Sequence, residues 1–229
     1  MIAPPTPPTL PLLCALAILQ APLDEGIFVV REDSVEVARE SFRLSRGRLA
    51  SGVVGWSLAT SVRYDRTRPV IVLAPILEVG DDSLPLTLQY DVADPREPMR
   101  ILGQLGRGRF TVRFLARAME KAREFPATGP TVVLDDSVFA LYLFAAWRAG
   151  PAPVALTAIV PRGARREALV VRDLGEGPTT LNRDPATLHH LTVSGGANEL
   201  VHLWLSSDRR LLKVEIPLRR LVIERVPGS

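Results

Sequence analysis

The sequence is short of lysine, cysteine, histidine and aromatic residues, and each shortage closes off a class of chemistry. Only Lys121 and Lys213 are lysines among 28 basic residues, and those barely exceed the 25 acidic ones. A formal charge of +3 provides no field strong enough to hold nucleic acid, so a nucleic-acid partner is rejected. The preference for Arg over Lys, with abundant Ala, Pro and Gly, is what a GC-rich genome encodes and points to a bacterial source. The single cysteine, Cys14, lies in an apolar N-terminal run. A chain that has lost that run has no cysteine, which excludes disulfides, thiolate catalysis and cysteine-ligated metals together.

What is present begins with that run. Residues 1–21 hold no charged side chain, pass from a proline-rich opening into Leu12–Ala21, and meet the first charge at Asp24. The apolar stretch has the length of a signal-peptide core and is too short to span a bilayer comfortably. Leu19-Gln20-Ala21 places a small residue at the expected cleavage point. The sequence therefore predicts a signal peptide over 1–21 and a single β-rich domain over 22–229, exported to the periplasm or beyond, with no integral membrane span after cleavage. An N-terminal Lys or Arg, usual in such signals, is absent, and Leu13 stands before Cys14 where a lipoprotein signal needs a small residue.

Beyond Gly26 the pattern is mostly apolar–polar alternation broken by turn clusters at Arg46-Gly47, Asp65–Pro69, Gly80–Asp82, Asp94–Pro98 and Gly106–Gly108. Val201, Leu203 and Leu205 alternate with His202 and Trp204. Leu212, Val214 and Ile216 alternate with Lys213 and Glu215, and Ser206–Arg210 is the turn that joins the two strands. Ser194–Asn198 is a further turn, Leu221–Val226 a closing strand, and Pro217 a break. Val112–Phe125 stays open between helix, by composition, and hairpin, by its neighbours.

One segment stands apart. Asp135-Asp136-Ser137 offers cap oxygens and negative charge for a helix start, the ten residues Val138–Trp147 are all apolar or aromatic, and Gly150-Pro151 is a stop. A helix apolar all round must be surrounded. The expected fold is mainly β: a curved antiparallel sheet, half-barrel or barrel, wrapped around one long apolar helix at about 135–149.

Three segments carry a family likeness: Val29–Phe42, Val132–Phe139, and Trp204–Pro217. Through them the chain resembles a loose group of bacterial exported proteins, some of glycolipid-binding type, that are similar to the LolA and LolB lipoprotein carriers. The resemblance implies a half-barrel around an apolar space that suits an acyl chain; it transfers no site residue.

No catalytic centre is recognisable. Neighbouring His189 and His190 point to opposite faces of a strand, and His202 can approach one of them across a hairpin, which leaves two ligands and no metal site. Asp135-Asp136 reads as a helix cap in preference to an acid–base pair. Gly106-Arg107-Gly108-Arg109 lacks the Lys-Ser/Thr of a phosphate loop and reads as a turn. Arg107, Arg109, Arg113 and Arg117 form a basic cluster suited to an anionic head group or to plain solvation. Phe139, Tyr142, Leu143, Phe144 and Trp147 are the candidate ligand-lining residues, although a tight core would use the same side chains. The preferred reading is a non-enzymatic envelope protein, without cofactor or metal, that binds a lipid-like ligand between sheet and helix. A filled-core scaffold comes second, and a hydrolase with a scattered site third.

Overall fold

The architecture comes from a computed structural model, which describes residues 22–117 and 119–228. Residues 1–21, where a signal peptide is expected, lie outside the described residues. Alternating sequence produces β1 (Asp24–Glu32), β2 (Val35–Arg48), β3 (Val54–Tyr64), β4 (Ile71–Gly80), β5 (Pro85–Ala93), β6 (Met99–Gly106), β7 (Arg109–Ala116) and β8 (Met119–Pro126), an antiparallel meander. Arg107 and Gly108, both at positive φ, form the turn from β6 to β7. In the open stretch, 112–116 and 119–125 are strand: Phe110 faces Phe125 and Val112 faces Arg123 across the β7–β8 ladder.

The other half comprises β9 (Thr131–Val133), β10 (Val154–Val160), β11 (Arg165–Leu181), β12 (Asp184–Ser194), β13 (Leu200–Leu205), β14 (Leu211–Ile216) and β15 (Leu221–Arg225). It joins the first half through the β1–β15 pair, giving one open sheet of fifteen strands with β8 and β9 at its edges. Pro217 opens a three-residue 3-10 turn between β14 and β15, where a missing N–H interrupts no ladder. Among the described residues every strand pairing is antiparallel except β9 with β10.

That one parallel pair explains the apolar segment. Parallel neighbours need a crossover that leaves the sheet and returns, and residues 134–153 are that crossover. The expectation of one long helix at 135–149 is corrected here: among the described residues no helix reaches seven residues, and the crossover holds only the five-residue α1 (Tyr142–Ala146). No long helix therefore fills a half-barrel. Asp135 and Val138 form an isolated antiparallel bridge instead, and Tyr142, Leu143 and Phe144 donate to carbonyls three residues back. The inference of enclosure was independent of helix length, since Val138, Phe139, Ala145 and Ala146 are all 0% exposed. They join inner-face residues of both halves of the sheet, such as Leu58, Ile101, Leu203 and Val214, in one core.

The outer face carries a second layer. The β11–β12 ladder runs on to Leu181–Asp184, whereas β12 pairs with β13 only from His189 onward, so the distal part of this hairpin is an arm beyond the sheet. A bulge between Asp173 and Gly175, with Gly175 at positive φ, turns the arm. Its tip returns to β14 and β15, where Lys213 Nζ donates to Thr180 O at 2.7 Å and Asn182 N donates to Glu224 Oε1 at 3.1 Å. Lys213, Trp204 and Glu224, all on the outer face, are buried as a result. No helix among the described residues is long and apolar enough to cross a membrane.

Candidate functional site

The crossover is held at its start by polar groups buried under it. Glu40 follows Ala38 and precedes Phe42 in the buried row of β2, and it is 0% exposed. Its carboxylate accepts from the backbone N–H of Phe139 at 2.8 Å, from that of Ala140 at 3.0 Å, and from Thr60 Oγ1 at 2.8 Å. Burial pushes its pKa up to about 7, against the lowering effect of those three donors. A strand residue thus holds the backbone ahead of α1, and Asp135-Asp136-Ser137, expected to cap a helix, do not cap one. Those residues have other partners: Asp135 pairs with Arg162 through two bonds of 2.9 and 3.0 Å and accepts from Ser137 N, and Asp136 pairs with Arg165 at 2.6 Å. The residue before α1, Leu141, makes no side-chain cap.

Tyr64 donates to the Ser137 carbonyl at 2.9 Å, and burial pushes its pKa up to about 12. The hydroxyl of Tyr90 is buried without a hydrogen-bond partner of good geometry, and burial followed by the nearby Asp135 charge pushes its pKa up. Glu40, Tyr64 and the pairs of Asp135 with Arg162 and Asp136 with Arg165 anchor the crossover. Glu40 and Asp135 are both almost fully shielded from solvent, which leaves a substrate no approach to them.

The five aromatic and apolar residues expected to line a ligand space divide. Phe139 and Phe144, 0% and 1% exposed, are packed into the core. Tyr142 borders a cavity of about 10 Å³ and accepts from Asn198 Nδ2 at 3.0 Å; that volume is no more than one water needs. Leu143 and Trp147, by contrast, form the floor of a cleft of about 210 Å³. Its apolar wall continues in Leu23 and Leu44, and its rim carries Asp24, Asp208, Arg209 and Arg210. Trp147 is fixed there by edge contacts with Trp56 at 4.7 Å and Phe144 at 5.3 Å. Arg210 pairs with Asp208 at 2.7 Å, and Asp24 pairs with Arg225 at 2.8 Å. The Arg209 side chain makes no ion pair or hydrogen bond among the described residues. Sequence reading treated 206–210 as a turn and nothing more, because only the fold brings that turn to the end of the crossover.

Of the histidines, His190 and His202 meet, with His190 Nε2 2.9 Å from His202 Nδ1 and the His190 ring stacked 3.9 Å from Trp204. Burial, then the His202 charge, lowers the His190 pKa. His189 is turned away to Asp173 at 3.0 Å. No group of three or more His, Cys, Asp or Glu side chains among the described residues is arranged to hold a metal. Of the basic cluster, Arg113 and Arg109 lie in exposed pairs on the β7–β8 hairpin, with Glu120 and with Glu124 at 3.5 Å, while Arg107 and Arg117 are exposed without an ion pair among the described residues.

Fold and site together define a mainly β open-sheet protein with a filled interior and, at one end of the crossover, a small cleft with an apolar floor and a charged rim. Compared with known protein families, curated proteins and solved structures, the chain matches none. The likeness to exported carriers accordingly rests on the three sequence segments that suggested it.

Proposed function

We propose that this chain is an exported, non-enzymatic envelope protein that binds the apolar end of an amphipathic molecule in the Leu143–Trp147 cleft. The observation that supports it is an apolar floor beneath an arginine, Arg209, that has no partner of its own among the described residues. At about 210 Å³ the cleft is smaller than the roughly 300–1,000 Å³ of enclosed small-molecule sites. It takes the end of a tail, with an anionic head left at the rim. The packed state of Phe139, Tyr142 and Phe144 favours the second reading, a scaffold with a filled core and no ligand.

Titration of the purified protein with fluorescent fatty-acyl probes separates the two. Saturable binding is expected, at least tenfold weaker in Leu23→Asp, which charges the exposed wall of the cleft without touching the core. A folded, delipidated protein that binds no member of a panel of acyl chains and glycolipids is the scaffold.

A further inference from the structure

A second cleft, of about 530 Å³, lies on the outer face of the sheet under the tip of the β11–β12 arm. Its size falls within the range of small-molecule sites. Its charges are unevenly committed. Glu224 accepts from Arg31 Nη1 at 2.9 Å and from Asn182 N, while Glu215 accepts from Lys213 at 2.9 Å and from Trp204 Nε1 at 2.9 Å. The two carboxylates are thereby matched by Lys213 and Arg31. Among the charged side chains, what remains unmatched is guanidinium, the whole of Arg183 and the rest of Arg31, with the Ser34 hydroxyl beside them; none of these has a further partner among the described residues. The lining, once paired off, carries one net positive charge and a set of unused N–H and O–H groups.

We infer that this cleft binds a small oxyanion, a carboxylate or phosphate group, between the arm tip and the β1–β2 turn. Arg183 rides on the arm and Arg31 and Ser34 on the sheet, so an oxyanion that engages both sides bridges them. Planar guanidinium forks suit such a group. The bridge would add to the contacts that already hold the tip down, Lys213 Nζ to Thr180 O and Asn182 Nδ2 to Arg225 O at 3.0 Å. Ligand binding and arm closure are therefore coupled, because an anion that binds only the closed arm stabilises it. The site shares no residue with the Leu143–Trp147 cleft and does not depend on its function.

The test is calorimetric titration with inorganic phosphate, run beside co-sedimentation with phosphatidylglycerol vesicles to tell a free anion from a lipid head group. Saturable binding to either probe is expected, at least tenfold weaker in Arg183→Asn and, for inorganic phosphate, unchanged in Leu23→Asp. Asn tolerates the left-handed backbone at position 183, where φ is 76°, and Arg183 is exposed, so the variant keeps its fold. Hydrogen exchange at arm amides 176–188 should slow on addition of the anion in the wild type and in Leu23→Asp, but not in Arg183→Asn. Absence of binding to both probes, or equal affinity in Arg183→Asn, overturns the inference.

Discussion

Glu40 shows how one residue can organise a segment far from it in sequence. It occupies the apolar phase of β2, and its carboxylate is spent on N–H groups 99 and 100 residues away. Its folded pKa of about 7 lies above the ordinary 4.5. A raised carboxyl pKa gives stability that is fully present below about pH 4.5 and is lost as pH rises through 7. The shift corresponds to about 3 kcal/mol. Denaturation of wild type and Glu40→Gln at pH 5 and pH 8 should show the difference between them moving by about that much in favour of Gln at the higher pH; a constant difference would mean that Glu40 does not titrate in this window. Asp135 makes the opposite case, a buried carboxylate already matched by a guanidinium. Arg162→Ala strands that charge and should cost about 3 kcal/mol or more in chemical denaturation. A polar residue in the apolar row at Glu40 is visible in the sequence. Its partners are not, because nothing local links position 40 to position 139.

The crossover illustrates the same division at the scale of an element. Its ten apolar residues show without any structure that it must be surrounded, and the core does surround it. Phe139→Ala or Phe144→Ala should each cost about 3–5 kcal/mol by denaturant titration. A loss under about 1 kcal/mol at both would contradict their burial. Helix length was misread for a physical reason. Composition favours a helix over the segment, but a short helix gains little from propensity and most of its stability from packing. Here packing and ion pairs to Arg162 and Arg165 hold Asp135–Ser137 out of helical geometry and leave one α turn. In β8 the outcome runs the other way from composition again: Ala, Glu, Lys and Arg favour helix, yet the ladder with β7 makes it strand.

A sheet that does not close leaves edges, and the molecule treats its two edges differently. β9 is buried, whereas β8 is exposed along all but Phe125. Lys121 and Arg123 lie opposite Phe114 and Val112, on the inward side of the sheet. Charges turned inward at an edge discourage another strand from extending the sheet. Replacing both by Val should raise self-association, read as a higher sedimentation mass than wild type at equal concentration; an unchanged mass would show that the edge is guarded otherwise. Alternation and turn residues, which act over a few positions, were enough to place the β13–β14 hairpin, its Ser206–Arg210 turn and the break at Pro217, and to show that the 138–147 run must be buried. The parallel β9–β10 pair, the hold of Glu40 on Phe139 and Ala140, the meeting of Leu143 and Trp147 with the 208–210 turn, and the arm folded over Lys213 were decided only in the tertiary structure. Each depends on residues tens of positions apart, whose contact is set by the packing of the whole sheet and not by the preferences of any segment.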